Sequence, residues 1–219
     1  SNKFLGYGLV LILALCALAI PNVVKSTFFL GLFINAIVLG IAAISIGFLA
    51  HQCGLIMFGA AGFTGGATYL FGIAVMHFNW SVTTAAIFCL VASTFISLLI
   101  GMVVVRARPL PFAMMTLALA QMLRSVVKIT AYREVTGGDD GLTMNWTGNF
   151  FGLTQAELAR PANFWTVAWL ALCGVMLLAW WVGHSRTGEI LRATKANEER
   201  MRFSGFNTYV PRVLAFGLA

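Results

Sequence analysis

The chain has 219 residues, of which 60% are hydrophobic and only 10% are charged, and its mean hydropathy is +0.89. A soluble domain carries about 25% charged residues, so this composition excludes a soluble protein and predicts an integral membrane protein. Long apolar runs favour helices over a β-barrel, whose strands alternate apolar and polar residues. The net charge of +7 fits basic residues beside membrane spans better than nucleic-acid binding.

Membrane spans are the main elements that the sequence predicts, because roughly 20 apolar residues in a helix cross a hydrocarbon core of about 30 Å. Complete spans are predicted at Phe4–Ile20, Thr27–Ala50, Gly54–Met76, Ser81–Val105, Phe112–Thr130 and Ala162–Gly183. Pro109 and Pro111 predict a tight corner before the fifth span. A seventh span begins at Val213 and is cut off at Ala219. We therefore expect an all-α, polytopic bundle, with residues 1–219 forming one transmembrane domain that is truncated at its carboxyl end.

The positions of the charges predict the orientation of the spans. Six basic residues follow the sixth span, and Arg106 and Arg108 follow the fourth. The loop over residues 131–161 carries two basic and four acidic residues, a net charge of −2. Cytoplasmic loops are enriched in Lys and Arg. The sequence thus predicts an outer loop at 131–161, a cytoplasmic segment after the sixth span and a cytoplasmic amino terminus.

Small residues interrupt the third predicted span. Glycine and alanine allow helices to pack closely, but transporters also place broken helices at the substrate site, where the freed backbone faces protein or water. Both interpretations stay open. As a hypothesis, the translocation pathway includes groups of this stretch and two polar residues of the fifth span: Gly59, Gly62, Thr64, Gly65, Gly66, Thr68, Tyr69, Thr116 and Gln121.

The outer loop contains a glycine-rich sequence, TGGDDGL. A helix–loop–helix calcium site needs ligands at alternate positions over about twelve residues and a closing glutamate, and this pattern is absent. The sequence instead predicts a structured outer turn that involves Thr136, Gly137, Gly138 and Gly141.

Residues 186–210, which we call the charged segment, predict a short water-facing helix between two spans. Ser185 or Thr187 can cap its start, and Gly205 can end it. Opposite charges four residues apart predict the pairs Lys195/Glu199 and Glu198/Arg202. A milder face is predicted at Ile190, Ala193, Asn197 and Met201, which could lie against a partner or against the chain's own spans.

Catalytic motifs are absent from the sequence. No Ser–His–Asp arrangement, HExxH or phosphate-binding loop occurs, and the four cysteines lie singly in apolar stretches. No acidic residue lies inside a predicted span, so the ionisable group common in ion-coupled carriers is missing. The residues therefore predict a protein that is not an enzyme and that holds no catalytic residue, metal or cofactor.

Three sequence segments together resemble the M-type permease subunits of bacterial ABC importers for branched-chain amino acids. They are GLIMFGAAGFTGGATY at residues 54–69, the FAxxTLA pattern of Phe112–Ala118 with the later TGGxxGL turn, and GEILRATKANEERMRFSGFNTYVPRVLAF at residues 188–216. The last is the most specific, because it combines many matching positions in order. The resemblance covers most of the chain, although such permeases form bundles of about ten helices.

The resemblance implies that this chain forms the pathway of an ATP-driven importer for branched-chain or related amino acids. It implies a homologous permease, two ATP-binding subunits that hold ATP and Mg, and an external solute-binding protein, all at a bacterial-type inner membrane. The charged segment would be the cytoplasmic coupling helix. The residues that would contact the ATPase are Gly188, Arg192, Lys195, Asn197, Glu198, Glu199, Arg202 and Gly205.

Some positions depart from the family pattern. The family's Gln, Ser and His in the glycine-rich stretch fall on Leu55, Met57 and Ala60, which leaves room for a less polar or bulkier carboxylate as substrate. The first coupling arginine is Glu189, and a later lysine is Arg212. An energy-independent channel or facilitator for a small solute is the alternative function.

Overall fold

The computed structural model describes residues 21, 26–78, 80–129, 133–138, 141–142, 149–150, 152–158 and 160–219. The first predicted span, Phe4–Ile20, lies outside the described residues. The elements in chain order are α1 (Thr27–Cys53), α2 (Ala60–Met76), α3 (Val82–Val104), α4 (Pro109–Val127), α5 (Arg133–Thr136), β1 (Asn149–Phe150), β2 (Leu153–Thr154), α6 (Gln155–Leu158), α7 (Pro161–His184), α8 (Arg186–Ala196), α9 (Glu198–Phe203) and α10 (Tyr209–Leu218).

Four of these helices, α1, α3, α4 and α7, are long and apolar enough to cross a membrane. Only 11–17% of the most apolar window of each is buried inside the structure. Large apolar side chains such as Leu39, Leu90 and Val103 are accordingly exposed along the helices. Apolar surface on this scale is expected where lipid or other helices cover it. The structure therefore supports the predicted all-α, polytopic membrane protein, with four candidate spans among the described residues.

The third predicted span is not a continuous helix, which corrects the range Gly54–Met76. Residues 54–59 are non-helical, and α2 begins only at Ala60 and has 17 residues. Gly54 takes φ +69°, a conformation that side-chain-bearing residues rarely adopt, and this ends α1. The chain then runs from α1 through a short break into α2.

The proline corner is also shifted from its predicted place. Arg108 is extended, with φ −64° and ψ 160°, and α4 begins at Pro109. The residue before a proline avoids the helical region, whereas proline itself suits the first helical turn. The two prolines therefore open α4, and the corner lies at residues 105–108.

The described residues divide into two compact units. One comprises residues 26–44 and 156–180, where Leu30 and Ile37 of α1 pack with Trp165 and Ala168 of α7. The other comprises the described residues in 45–155 and 181–219. Its core holds Leu49, Leu55, Phe112, Leu191 and Phe216. This second unit contains most of the residues to which the sequence assigned a function.

The charged segment forms two helices rather than the single one predicted. Asn197 takes extended backbone, with φ −159° and ψ 100°, between α8 and α9. Its side-chain oxygen accepts a hydrogen bond of 2.9 Å from the backbone N–H of Arg200 and so caps α9. Asparagine is a preferred capping residue, because its short side chain reaches the free N–H groups of a first turn.

Candidate functional site

The start of α8 lies tightly against the end of α7. Ser185 caps α8, as predicted, by accepting a bond of 3.4 Å from the Gly188 N–H, and its hydroxyl donates to the Val182 carbonyl at 2.6 Å. Gly188 is buried, and a Cβ at this position would collide with the carbonyl oxygens of Val182 and Gly183. A glycine is therefore required for α8 to approach α7 this closely.

Arg192 is directed toward membrane-helix ends. Its guanidinium donates to the Gly183 carbonyl at 2.6 Å and to the Gln52 side-chain oxygen at 3.4 Å. Gln52 is itself buried, with 7% of its surface exposed, at the carboxyl end of α1. Gln52, Gly183 and Arg192 thus bring the ends of α1 and α7 together at α8.

Lys195 makes the corresponding contact on α1. Its ammonium donates to the carbonyls of Ala50 and His51, each at 3.1 Å. Its stem passes so close to Gly54 that a Cβ there would lie 3.1 Å from the Lys195 Cγ. The predicted pair with Glu199 is wrong for these two described residues, because Asn197 breaks the helix between them and Lys195 binds carbonyls instead.

Glu198 joins α9 to α10. One carboxylate oxygen accepts a bond of 2.9 Å from Arg212, and the other lies 3.7 Å from the Arg202 Nε. The predicted Glu198/Arg202 pair is therefore confirmed. Arg212 is mostly buried, with 15% of its side chain exposed, and its Nε finds no partner among the described residues. The Glu198–Arg212 ion pair links the charged segment to the following helix.

The outward-facing part of the charged segment is α9. It contains no buried residue, and Phe203 is 91% exposed. Glu199, Arg200 and Arg202 are also exposed. Gly205 takes φ +81° and ends α9, as predicted.

The inner face of α8 differs from the predicted one. Gly188, Leu191 and Thr194 are buried, whereas Ala193 is exposed. Leu191 belongs to the core of the second unit, and the Thr194 hydroxyl donates to the Ile190 carbonyl at 2.6 Å. Arg192 and Lys195 are themselves exposed, and their charged ends donate to carbonyl oxygens. Ala193 and Asn197 of the predicted milder face are exposed, so that face stays open to a partner.

The glycine-rich helix α2 has one face packed against α4. A Cβ at Gly59 would collide with the Thr116 carbonyl oxygen, and one at Gly62 would lie 2.5 Å from the Cα and Cβ of Ala120. Gly66 continues this face, with Leu123 as its nearest neighbour at 3.9 Å. At these three glycines, close helix packing is the role that the contacts support.

The polar face of α2 is different. Thr64 and Thr68 are exposed, and a Cβ at Gly65 would meet no atom within 4 Å. Both hydroxyls donate to carbonyls of their own helix, Thr64 to Ala60 and Thr68 to Thr64. Tyr69 is half-buried. This threonine face, Thr64, Gly65 and Thr68, is the part of α2 that is open to a solute or a neighbouring helix.

The two residues predicted on the fifth span occupy unlike positions. Thr116 is fully buried; its hydroxyl donates to the Ala113 carbonyl at 2.9 Å and accepts from the Phe58 N–H at 3.3 Å. It thereby fixes the break between α1 and α2 against α4. Gln121 is exposed. The structure does not bring Thr116 and Gln121 to one site.

The glycine-rich turn, which the sequence predicts on the outer side, is structured over its described residues. The Thr136 hydroxyl donates to the Val127 carbonyl at 2.9 Å and accepts from the Gly138 N–H at 3.3 Å. Gly137, Gly138 and Gly141 all take positive φ, between 61° and 73°. A Cβ at Gly137 would collide with the Gly141 carbonyl, so the turn closes on itself. Among the described residues, no group of three His, Cys, Asp or Glu side chains could hold a metal ion.

The sequence assigned no structural role to three residues that hold the charged segment in place: Gln52, Tyr209 and Arg212. The Tyr209 hydroxyl donates to the Met102 carbonyl at 2.5 Å, and the Arg106 guanidinium lies 5.2 Å from the centre of its ring. A buried polar residue at the end of an apolar span was the available signal for Gln52. Tyr209 and Arg212 gave no comparable local signal.

Long apolar helices with exposed apolar faces, joined by a polar segment at their ends, define a multi-pass α-helical membrane protein. The sequence matches the family described as "Branched-chain amino acid transport system / permease component" over residues 28–219. The chain therefore belongs to this family, which confirms the family that the sequence motifs indicated, and it is a transport subunit of the kind that works with other subunits. Comparisons with curated proteins and with solved structures gave no match.

Proposed function

We propose that this chain is the pathway-forming subunit of an ATP-driven importer for branched-chain or related amino acids. It works with a homologous permease, two ATP-binding subunits that hold ATP and Mg, and an external solute-binding protein. It lies in a bacterial-type inner membrane, with its amino terminus and charged segment in the cytoplasm. The chain itself hydrolyses nothing.

The observation that carries this proposal is the exposed surface of α9. Glu199, Arg200 and Phe203 project from a helix whose neighbour α8 is held against the ends of α1 and α7. An aromatic side chain that is 91% exposed on a charged helix is typical of a contact with another protein. A position at membrane-helix ends suits a cytoplasmic ATPase that drives the permease.

Reconstitution tests the proposal. The full chain is assembled with its permease and ATPase subunits in liposomes, and leucine uptake and ATP hydrolysis are measured together. We expect uptake only with ATP. Phe203→Ala should lower binding of the ATPase subunits and uptake by about tenfold, the cost of a typical interface anchor. Phe78→Ala is the control, because it removes another exposed aromatic side chain, which lies just after the end of α2.

The pathway is assigned to the threonine face of α2. Its support is that Thr64, Gly65 and Thr68 are open, whereas Gly59 and Gly62 on the opposite face are filled by α4. Hydroxyl groups bonded to their own helix can still accept a bond from an ammonium group. Such a face suits a solute with one charged end and an apolar side chain.

Thiol labelling tests this assignment. Thr64→Cys and Thr68→Cys, made with the native cysteines replaced, should react with a water-soluble thiol reagent, and leucine should slow the reaction. Leu90→Cys is the matched control, because Leu90 is also exposed but lies on the apolar surface of α3. Equal labelling at Leu90 and at the two threonines, with no protection by leucine, would contradict the pathway.

The alternative, an energy-independent facilitator, makes the opposite prediction for uptake. A facilitator equilibrates leucine across liposomes that contain the permease without ATPase subunits, and ATP has no effect. Accumulation above the external concentration, driven by ATP, excludes it.

A further inference from the structure

α8 contacts two groups of backbone carbonyls, at the carboxyl ends of α1 and α7. One of these carbonyls, that of Ala50, also accepts from the Gly54 N–H at 3.2 Å. The last four carbonyls of a helix accept no hydrogen bond from within that helix, and the carboxyl end of the helix carries a partial negative charge. α1 ends at Cys53 and α7 ends at His184. The carbonyls of Ala50 and His51 belong to the first group, and the Gly183 carbonyl belongs to the second.

Two cationic side chains of α8 donate hydrogen bonds to these carbonyls. Arg192 donates to Gly183 at 2.6 Å, and Lys195 donates to Ala50 and His51 at 3.1 Å. The two residues are three positions apart, so they lie on one side of α8. Bonds from a charged donor to a helix end are among the stronger polar contacts in a protein. One short helix therefore holds two membrane helices by their carboxyl ends.

Packing on the same side leaves α8 little freedom. Gly188 lies directly on the last carbonyls of α7, and Leu191 is 1% exposed in the core. α9, in contrast, has no buried residue and is joined to α10 by the Glu198–Arg212 pair, whose glutamate is 36% exposed. A movement of α9 would therefore act on α8, a helix that is tightly packed at the end of α7.

We propose that Arg192 and Lys195 are positioning residues that transmit movement of the charged segment to the carboxyl ends of α1 and α7. The proposal rests on the proposed function, because it needs an ATPase that moves the segment. The two cations contact the helix ends directly. Their task is to keep the helix ends and α8 together while the segment moves.

Reconstituted complexes test this role through the ratio of leucine uptake to ATP hydrolysis. Arg192→Gln combined with Lys195→Gln removes both charges and leaves shorter, neutral polar side chains, and we expect the ratio to fall at least about tenfold while hydrolysis continues. Arg192→Lys with Lys195→Arg should restore it. Arg186→Gln, an equal loss of charge at an exposed position of the same helix, should leave it unchanged.

Spin labels at Ala193 and His51, both exposed, give a second measurement that does not depend on transport. With the native cysteines replaced, we expect a narrow distance distribution in the wild-type complex and a broad one after the double glutamine change. If the double variant does not assemble, the distance distribution is measured in each single glutamine variant instead.

The outcomes separate the two proposals. An unchanged ratio and a narrow distribution in the glutamine variants overturn the role of Arg192 and Lys195, even if ATP drives uptake. Uptake that needs no ATP in the wild-type complex overturns the proposed function, and the distance distribution then still decides whether the two cations hold the helix ends. Reduced stability with an unchanged ratio also overturns the transmission role.

Discussion

Gly62→Ala separates the two interpretations of the glycine-rich helix most directly. The new Cβ would lie 2.5 Å from the Cα and Cβ of Ala120, whereas ordinary contact begins at 3.4 Å. α2 and α4 must therefore separate by the difference, about 0.9 Å. Ala120 cannot rotate away, because the obstructing atoms are a backbone carbon and the carbon attached to it.

The cost follows from this geometry. Forcing an extra carbon into a filled contact costs about 1–3 kcal/mol. The same change at Gly65 meets no atom within 4 Å, so only the better helix propensity of alanine remains, a gain of about 0.5–1 kcal/mol. The propensity gain is common to both variants, so they should differ by the packing cost alone, roughly 1–3 kcal/mol in the free energy of unfolding.

Heating of detergent-solubilised protein, followed by size-exclusion chromatography of the fraction that stays folded, measures the difference. We expect Gly62→Ala to melt roughly 2–12 °C below Gly65→Ala. Agreement of the two melting temperatures within about 2 °C would refute close packing of α2 against α4. Gly62 would then have to be explained by the pathway.

Three further changes test the helix contacts by the same measurement. Gly188→Ala should lower the free energy of unfolding by about 1–3 kcal/mol, because its methyl group meets two carbonyl oxygens. The control Gly174→Ala has open space around its new methyl group and should not destabilise the protein. Equal melting temperatures of the two variants would contradict the contact at Gly188. Thr116→Val keeps the shape but leaves a backbone N–H without its acceptor, so stability should fall by about 1–2 kcal/mol, and no change would argue against that bond. Tyr209→Phe loses the hydroxyl bond and should lower the free energy of unfolding by about 1 kcal/mol. Tyr209→Leu should lower it further, because leucine also lacks the ring that lies against Arg106. Equal effects of the two variants would exclude a role for the ring.

Hydropathy predicted the long helices well, because bilayer thickness constrains their length. Thr27–Ala50, Ser81–Val105 and Ala162–Gly183 agree with α1, α3 and α7 to within a few residues. Local chemistry also predicted the Ser185 cap and the Gly205 stop, since each depends on the backbone of its own neighbours. These features need no knowledge of distant contacts.

The break before α2 was beyond such reasoning. Residues 54–59 are as apolar as a span, so composition alone continues the helix. The break is stabilised from elsewhere in the chain: Thr116 binds the Phe58 N–H, and the Lys195 stem covers Gly54. Both partners are far away in sequence. A glycine can permit such a break, but only the distant contacts decide where it occurs.

The charged side chains of the charged segment point in different directions, which the sequence motif alone does not show. The resemblance groups Arg192, Lys195, Glu198 and Glu199 as one set, but three of them bind carbonyls or Arg212 within the chain, while Glu199 faces outward. Reversing the charges of Arg192 and Glu198 would therefore place a carboxylate against the Gly183 carbonyl and a cation against Arg212. Loss of transport in such a variant would reflect broken contacts inside the chain, whatever the ATPase does. The exposed side of α9 offers a partner contact that can be tested without breaking these internal bonds.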